Sequence, residues 1–184
     1  PRSTPVVEGE TVFAVGTGGL LLAANRTSGE LLWQHDLVAE YAAELPGWGY
    51  ASSPLVVGDK LLVEAGGDGA AFVAFDVGTG ELRWRAHDDR SAYSSPIRIT
   101  LAGVEQAVFW SGDGLRSVAP ESGELLWSRP WRTDCPTSGV PMGTGTPIFM
   151  APDGLFVSSG SGAAVLRIAL VDGEFRADSV WESR

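Results

Sequence analysis

The sequence predicts an all-β chain built from repeated four-stranded units, and three observations carry that expectation. A turn-and-strand phrase is spelled three times, as SGELLW (28–33), TGELRW (79–84) and SGELLW (122–127). Four segments open alike, STPVV at 3, SSPLVV at 52, SSPIRI at 94 and GTPIFM at 145. Their prolines, Pro5, Pro54, Pro96 and Pro147, stand 49, 42 and 51 residues apart. Between opening and closing phrases lie two short apolar runs divided by glycines, such as TVFAVGTGG then LLLAAN, and LLVEAGGDG then AFVAFD. Four short strands per unit at a period of roughly 40–50 residues describe the blade of a β-propeller. Blades are expected over about 3–36, 52–88, 94–130 and 145–182 within a single partial propeller spanning 1–184.

Each element has a physical reason. Proline cannot donate to a ladder, so it belongs at the start of an edge strand, here the one that lines the channel of the ring. The runs rich in Val, Leu, Phe and Ala that follow suit strands, with Gly, Asp and Ser marking the turns between them. Gly29, Gly80, Gly123 and Gly173 each precede a glutamate and suit the turn between third and fourth strands, where a positive φ is cheap only for glycine. Trp33, Trp84 and Trp127 close the first three units on the outer strand, each able to cover the seam with a neighbouring blade. The fourth unit reads as degenerate, with Trp181 too far along to be equivalent. Only LVAEYAAEL (37–45) suggests a short helix.

Composition narrows the function. The chain has 184 residues, 44% of them hydrophobic, and a formal net charge of −10, with Lys60 as its single lysine. Such an acidic surface repels phosphate backbones, which argues against a nucleic-acid partner. No apolar run reaches the roughly 18 residues of a membrane-spanning helix. Cys135 is the lone cysteine, so it has no internal disulfide partner. The chain opens PRSTPVVEGE, without an initiator methionine or targeting segment, which implies processing or truncation.

The phrase AFDVGTGELRW (74–84) closely resembles the tryptophan-docking motif of PQQ-like propellers, in which Ala, Asp, Thr-Gly and a terminal Trp recur blade by blade. AANRTSGELLW (23–33) and SVAPESGELLW (117–127) are weaker copies, with Asn25 and Ala119 where Asp76 stands in the best one. Together with GWGYASSPLV (47–56), the pattern is most similar to large bacterial PQQ-like repeat proteins related to the lipoprotein subunit of the outer-membrane β-barrel assembly machine. The resemblance implies eight-bladed rings, export to the periplasm or envelope, and a propeller used as a protein-interaction platform. It implies that this chain is half of such a ring, completed by further blades of the same chain; a dimer of half-rings is the alternative. WD40 and Kelch patterns fit poorly, because no Trp-Asp closes a unit and Gly66-Gly67 has no counterpart.

Candidate chemistry is sparse. Quinoprotein dehydrogenases of the resembled family hold PQQ with Ca²⁺ through channel-facing Glu, Asn and Asp, and often carry a vicinal disulfide. Here Asn25 is the only asparagine and falls in a motif turn, and one cysteine cannot form such a pair. No resident cofactor is therefore expected, PQQ with calcium entering only if the chain is a fragment of an alcohol or sugar dehydrogenase. Asp68, Asp113 and Asp153 read as Asp-Gly turns rather than a calcium shell, which needs about six to eight converging oxygens. His35 and His87 fall on outer strands of different blades, which argues against a shared metal. GTGG (16–19) lacks the rest of a dinucleotide loop, GxSxG is absent, and the sequon NRT (25–27) coincides with a blade turn.

The connections between blades are the informative irregularity. Trp33 to Pro54 and Trp127 to Pro147 leave 20 and 19 intervening residues, but Trp84 to Pro96 only 11. Such connections emerge with the second-to-third strand turns on one face, where rigid blades carry variable loops. Trp48, Tyr50, Tyr93, Trp131, Arg132 and Asp134 are the candidate interaction residues, of types enriched at binding hot spots; for Trp48 and Tyr50 the alternative is that they pack the connection onto its blade. The expected function is a non-catalytic platform for a protein partner at the bacterial envelope. A quinoprotein fragment and the sensor module of a signalling protein are the competing readings.

Overall fold

The computed structural model describes residues 3–131 and 144–183. The described residues form four separate four-stranded antiparallel sheets, each a meander in chain order. The first holds β1 (Val6–Glu8), β2 (Thr11–Val15), β3 (Leu20–Asn25) and β4 (Leu31–Asp36); helix α1 (Leu37–Tyr41) follows. The second holds β5 (Leu55–Val57), β6 (Lys60–Gly67), β7 (Ala70–Asp76) and β8 (Leu82–Ala86). The third holds β9 (Ile97–Leu101), β10 (Val104–Ser111), β11 (Gly114–Val118) and β12 (Leu125–Pro130). The fourth holds β13 (Ile148–Met150), β14 (Gly154–Ser159), β15 (Gly162–Val171) and β16 (Glu174–Ser183). Pro5, Pro54, Pro96 and Pro147 each immediately precede an edge strand, where a missing N–H costs no ladder bond. The fold is the partial propeller that the repeats predict.

Register explains how the sheets stack. In the first sheet Val6, Phe13, Ala23 and Trp33 are successive cross-strand partners. This row packs on the next sheet's Leu61, Val63, Val73 and Phe75 in one core cluster. Leu55, Leu62, Ala74 and Trp84 form the same row in the second sheet and face Ala107, Phe109 and Val118 of the third. Ile97, Val108, Ser117 and Trp127 repeat it in the third and face Leu155, Val157, Ala164 and Leu166 of the fourth. Each of the first three sheets thus offers a tryptophan row to the sheet that follows, and each of the last three an apolar row to the sheet before it, the two rows lying on opposite faces as period-two alternation of side chains requires.

Both motif glycines that a tryptophan covers leave no room for a side chain. Gly80 (φ +75°) and Gly123 (φ +76°) would each place a Cβ 2.7 Å from an indole, of Trp33 and Trp84 respectively. The Trp33 indole N–H donates to the Val77 carbonyl at 3.3 Å, and that of Trp84 to the Pro120 carbonyl at 2.9 Å. The histidines add to the same seams: Nε2 of His35 lies 2.8 Å from the Gly80 carbonyl, and Nε2 of His87 2.8 Å from that of Gly123. Lys60, buried between the sheets, reaches Glu121 of the third sheet at 2.7 Å.

The fourth sheet corrects the reading of Trp181. Ile148, Phe156, Val165 and Trp181 are successive partners, the same row as Val6, Phe13, Ala23 and Trp33. The β15–β16 ladder breaks register between Val165 and Leu166, where β3–β4 breaks between Ala23 and Ala24. Trp181 is therefore the fourth unit's equivalent of Trp33. The hairpin beyond it is six residues longer, 15 between Val165 and Trp181 against nine between Ala23 and Trp33, and directly paired residues share a face whatever the hairpin's length. That extension also carries Gly173 away from the seam, where a Cβ on it would meet nothing within 4 Å among the described residues. The third seam is closed differently: the Trp127 N–H donates to Gln106 Oε1 within its own sheet at 2.8 Å, and Arg129 reaches Ser179 and Glu182.

Candidate functional site

The second-to-third strand turns and the blade-to-blade connections meet on one face. Tyr50 N–H donates to the Thr17 carbonyl, Leu37 N–H to Gly19, Gly112 N–H to Arg90, and Trp131 N–H to Asp113, all at 2.9–3.0 Å. Gly49, Gly66 and Gly67 lie so close to neighbouring loops that an added Cβ would come within 2.6 Å of backbone at Thr17, Ser91 and Tyr41. These close approaches seat the connections rigidly on the blades. α1 is started by the Asp36 carboxylate, which accepts from the N–H groups of Val38 and Ala39.

The six candidate residues separate into three groups. Trp48 is half exposed (51%), and its ring stands 5.8 Å from that of Tyr93, whose hydroxyl accepts from the Trp48 N–H at 3.2 Å. This pair joins two successive connections and presents an indole to solvent. Tyr50 and Trp131 are core residues, 1% and 2% exposed. Tyr50 donates its hydroxyl to the Ala65 carbonyl at 2.5 Å, and Trp131 lies edge-on to Trp110 at 6.0 Å. Both are covered in the structure, Tyr50 lying over Gly19 and Trp131 against Trp110. Arg132 and Asp134 lie outside the described residues, as does Cys135.

The same face holds an acidic cleft of about 330 Å³, lined by Glu44, Asp68, Asp88, Asp89, Arg90 and Asp113, with Ala42, Gly66 and Gly67. Two of its carboxylates fasten loops. Asp88 accepts from the Gly69 N–H at 2.5 Å. Asp89 accepts from Ser111 Oγ at 2.5 Å and from the Asp113 N–H at 3.2 Å, and it pairs with Arg116. Asp68 and Asp113 do sit in turns, as their Asp-Gly spelling predicts. Among the described residues no three His, Cys, Asp or Glu side chains are grouped to hold a metal.

Sequence reasoning missed the partners of four side chains, Glu64, Asp89, His35 and His87. Glu64 is fully buried beneath the 88–92 connection; its Oε1 accepts from the Ala92 N–H at 3.1 Å, while Oε2 has no hydrogen-bond partner. Burial first, then the charge of Asp89, pushes its carboxyl well above the usual range, against the Ala92 hydrogen bond that favours ionisation. Asp89 and the seam histidines were equally invisible, since their partners lie 22–45 residues away. At the opposite end of the blades, Asp76 accepts from Thr79, Gly78 and Arg83, and those bonds, the Thr79 N–H foremost, lower its carboxyl to about 2. Asn25 fills the same turn role for the N–H groups of Thr27 and Ser28.

Comparison with known proteins fits this architecture. A family model described as outer membrane protein assembly factor BamB matches residues 1–182. The chain belongs to that family. Among solved structures, BamB from Moraxella catarrhalis is 16% identical with a TM-score of 0.58, over 95% of this chain and 58% of that one. The quinohemoprotein alcohol dehydrogenase of Comamonas testosteroni is 13% identical with a TM-score of 0.66, over 100% of this chain and 34% of that one. The computationally designed Ika4 protein is 16% identical with a TM-score of 0.56, over 92% of this chain and 94% of that one. At these identities the likenesses establish fold, and the chain spans well under two thirds of both natural neighbours. A search of curated protein sequences found no match. No helix among the described residues is long and apolar enough to cross a membrane.

Proposed function

We propose that this member of the BamB family is a non-catalytic binding platform at the bacterial cell envelope, engaging a protein partner through its loop face. The observation that carries the reading is the solvent-facing Trp48, propped by Tyr93 on the loop face that also carries an acidic cleft. A half-exposed indole on a face that also carries carboxylates suits a partner segment that presents basic and apolar side chains. The docked tryptophans Trp33 and Trp84 then serve architecture, holding the loop face on a stiff base. Family membership supports the envelope location and the partner class, and similarity to a quinohemoprotein dehydrogenase keeps one competing reading, a fragment whose PQQ and calcium ligands lie in other blades.

One experiment separates them. A photoreactive amino acid at position 48, in cells of the source species, should give discrete protein adducts that the same probe at Gly78, at the opposite end of the blades, does not. In parallel, the protein is titrated with PQQ and Ca²⁺ while its tryptophan emission is followed. Saturable quenching by micromolar PQQ that vanishes on chelating calcium would replace the platform reading with the dehydrogenase one, as would equal adducts from positions 48 and 78 alongside such quenching. Equal adducts without quenching would remove the loop face as the binding surface.

A further inference from the structure

The connection from β8 to β9 carries a strap, residues 88–93, that is pinned at both ends. At one end His87 takes a left-handed backbone (φ +64°), which is costly for a residue with a Cβ, and its Nε2 lies 2.8 Å from the Gly123 carbonyl. At the other, Ser94 Oγ donates to the Gly145 carbonyl at 3.2 Å, and Ser95 Oγ accepts from the Ser53 N–H at 3.0 Å. Between these anchors the strap presses on β6 where its ladder to β7 shifts register, between Glu64 and Gly67. A Cβ on Gly66 would lie 2.5 Å from the Ser91 nitrogen. Asp88 and Asp89 fasten the strap to Gly69, Ser111 and Arg116. Beneath it, the Ala92 N–H donates to Glu64 Oε1 at 3.1 Å. Glu64 Oε2 and Ser91 Oγ are buried there without a hydrogen-bond partner.

Those two atoms make the seated state conditional. A carboxyl buried with one oxygen unpartnered is tolerated as the neutral acid and strongly disfavoured as an anion, and water would satisfy both atoms if the strap rose. The groups around Glu64 reinforce the condition. Asp89, on the strap, opposes its ionisation, and Asp89 is itself paired with Arg116 of β11. Tyr50, from the preceding connection, donates to the Ala65 carbonyl and feels the Glu64 charge. His87 stands edge-on to Phe72, the cross-strand partner of Glu64. We propose that residues 88–93 are a proton-operated strap, seated while Glu64 is protonated and lifted when Glu64 ionises, which withdraws Tyr93 from Trp48. Tyr93 follows Ala92 directly, and its hydroxyl accepts from the Trp48 N–H, so releasing one moves the other. The effect on partner binding rests on the loop-face reading above; the lifting does not. Binding is strongest at the acidic end of the range and weakens as pH rises.

Hydrogen exchange of the 184-residue chain between about pH 5 and 9 reads the lifting without any partner. The lifted strap lets Glu64 ionise as an ordinary carboxyl and the seated one does not, so linkage favours lifting by up to about tenfold per pH unit above about pH 4.3. Protection of the Ala92 N–H should fall at that rate beyond the ordinary pH dependence of exchange. The fall should end where carbon NMR shows the Glu64 carboxyl ionising. Glu64→Gln keeps an acceptor for Ala92 and cannot ionise, so its corrected protection should be flat. If that variant misfolds, the parent alone decides, since its amide and carboxyl profiles must coincide. Ala92 protection that is flat in the parent, or that falls as steeply in Glu64→Gln, would overturn the proposal. So would protection equal to that of the Val73 core amide at every pH, because the strap would then open only with the whole fold. A photoprobe at position 48 should give several-fold fewer partner adducts at about pH 8.5 than at about pH 6, in the parent and not in Glu64→Gln. Adducts indifferent to pH would overturn the control of binding, whereas no adducts at either pH would remove the loop-face reading and leave the exchange result standing.

Discussion

Three glycines of one motif provide an internally controlled test of the seam. Gly29, Gly80 and Gly123 share a turn type and φ values of +73°, +75° and +76°, and differ in what lies above them. Replacing any of them with alanine imposes the left-handed penalty of an L-residue, about 1–2 kcal/mol. At Gly29 that is the whole cost, because its Cβ would enter open space. At Gly80 and Gly123 the Cβ would lie 2.7 Å from an indole, which must shift or tilt and lose its carbonyl hydrogen bond. Overpacking of this kind adds about 1–3 kcal/mol. Gly80→Ala and Gly123→Ala should therefore cost about 2–5 kcal/mol, and Gly29→Ala clearly less. Urea unfolding followed by circular dichroism measures this. Equal losses at all three positions would refute the argument, by showing that the turn conformation alone sets the cost and the indole contact contributes nothing.

Further expectations concern the loop face and its supports. Glu64 holds its proton in the fold more tightly than in the unfolded chain, so its contribution is full below the unfolded carboxyl pKa of about 4.3 and is lost as pH rises toward its folded value. Stability should then fall by up to about 1.4 kcal/mol per pH unit above that point, and Glu64→Gln should flatten the profile between pH 5 and 8 in denaturant titrations. A variant profile as steep as the parent's would assign the slope to other groups. Asp89→Ala removes the acceptor for Ser111 and Arg116 and leaves a part-buried guanidinium unpaired; a loss of about 3–5 kcal/mol is expected, with faster hydrogen exchange at Gly112 and Asp113 first. Trp48→Ala should leave the unfolding midpoint nearly unchanged, since the ring is half exposed, while abolishing adducts from a photoprobe placed at Tyr93.

Much of the fold was legible because propeller blades repeat local chemistry. Prolines at strand starts, Asp or Asn acceptors in the turns, and alternating apolar residues act within about ten residues of themselves, so their meaning survives in the sequence. The candidate site was less legible. Tyr50 and Trp131 share the loop composition of Trp48 and Tyr93, yet two of these aromatics are core and two are not. What separates them is what each ring meets: Tyr50 covers Gly19 and reaches the Ala65 carbonyl, and Trp131 packs on Trp110, while Trp48 stays half exposed. Trp181 was misread because motif spacing was counted along the chain, while a hairpin can lengthen and still leave its directly paired residues on one face.

The amino-acid order by itself determined that the chain is all-β, that it has four units, where each strand starts and turns, and which family it belongs to. These follow from backbone preferences and from period-two alternation, both short-range. Only the tertiary structure decided that Trp33 and Trp84 rest on the glycines of the next blade, and that His35 and His87 reach the same turns. It also decided that Glu64 is buried under the 88–92 connection with one oxygen unpartnered. Each of these depends on a partner in a different blade, and no local preference of the chain specifies which surface another blade will cover.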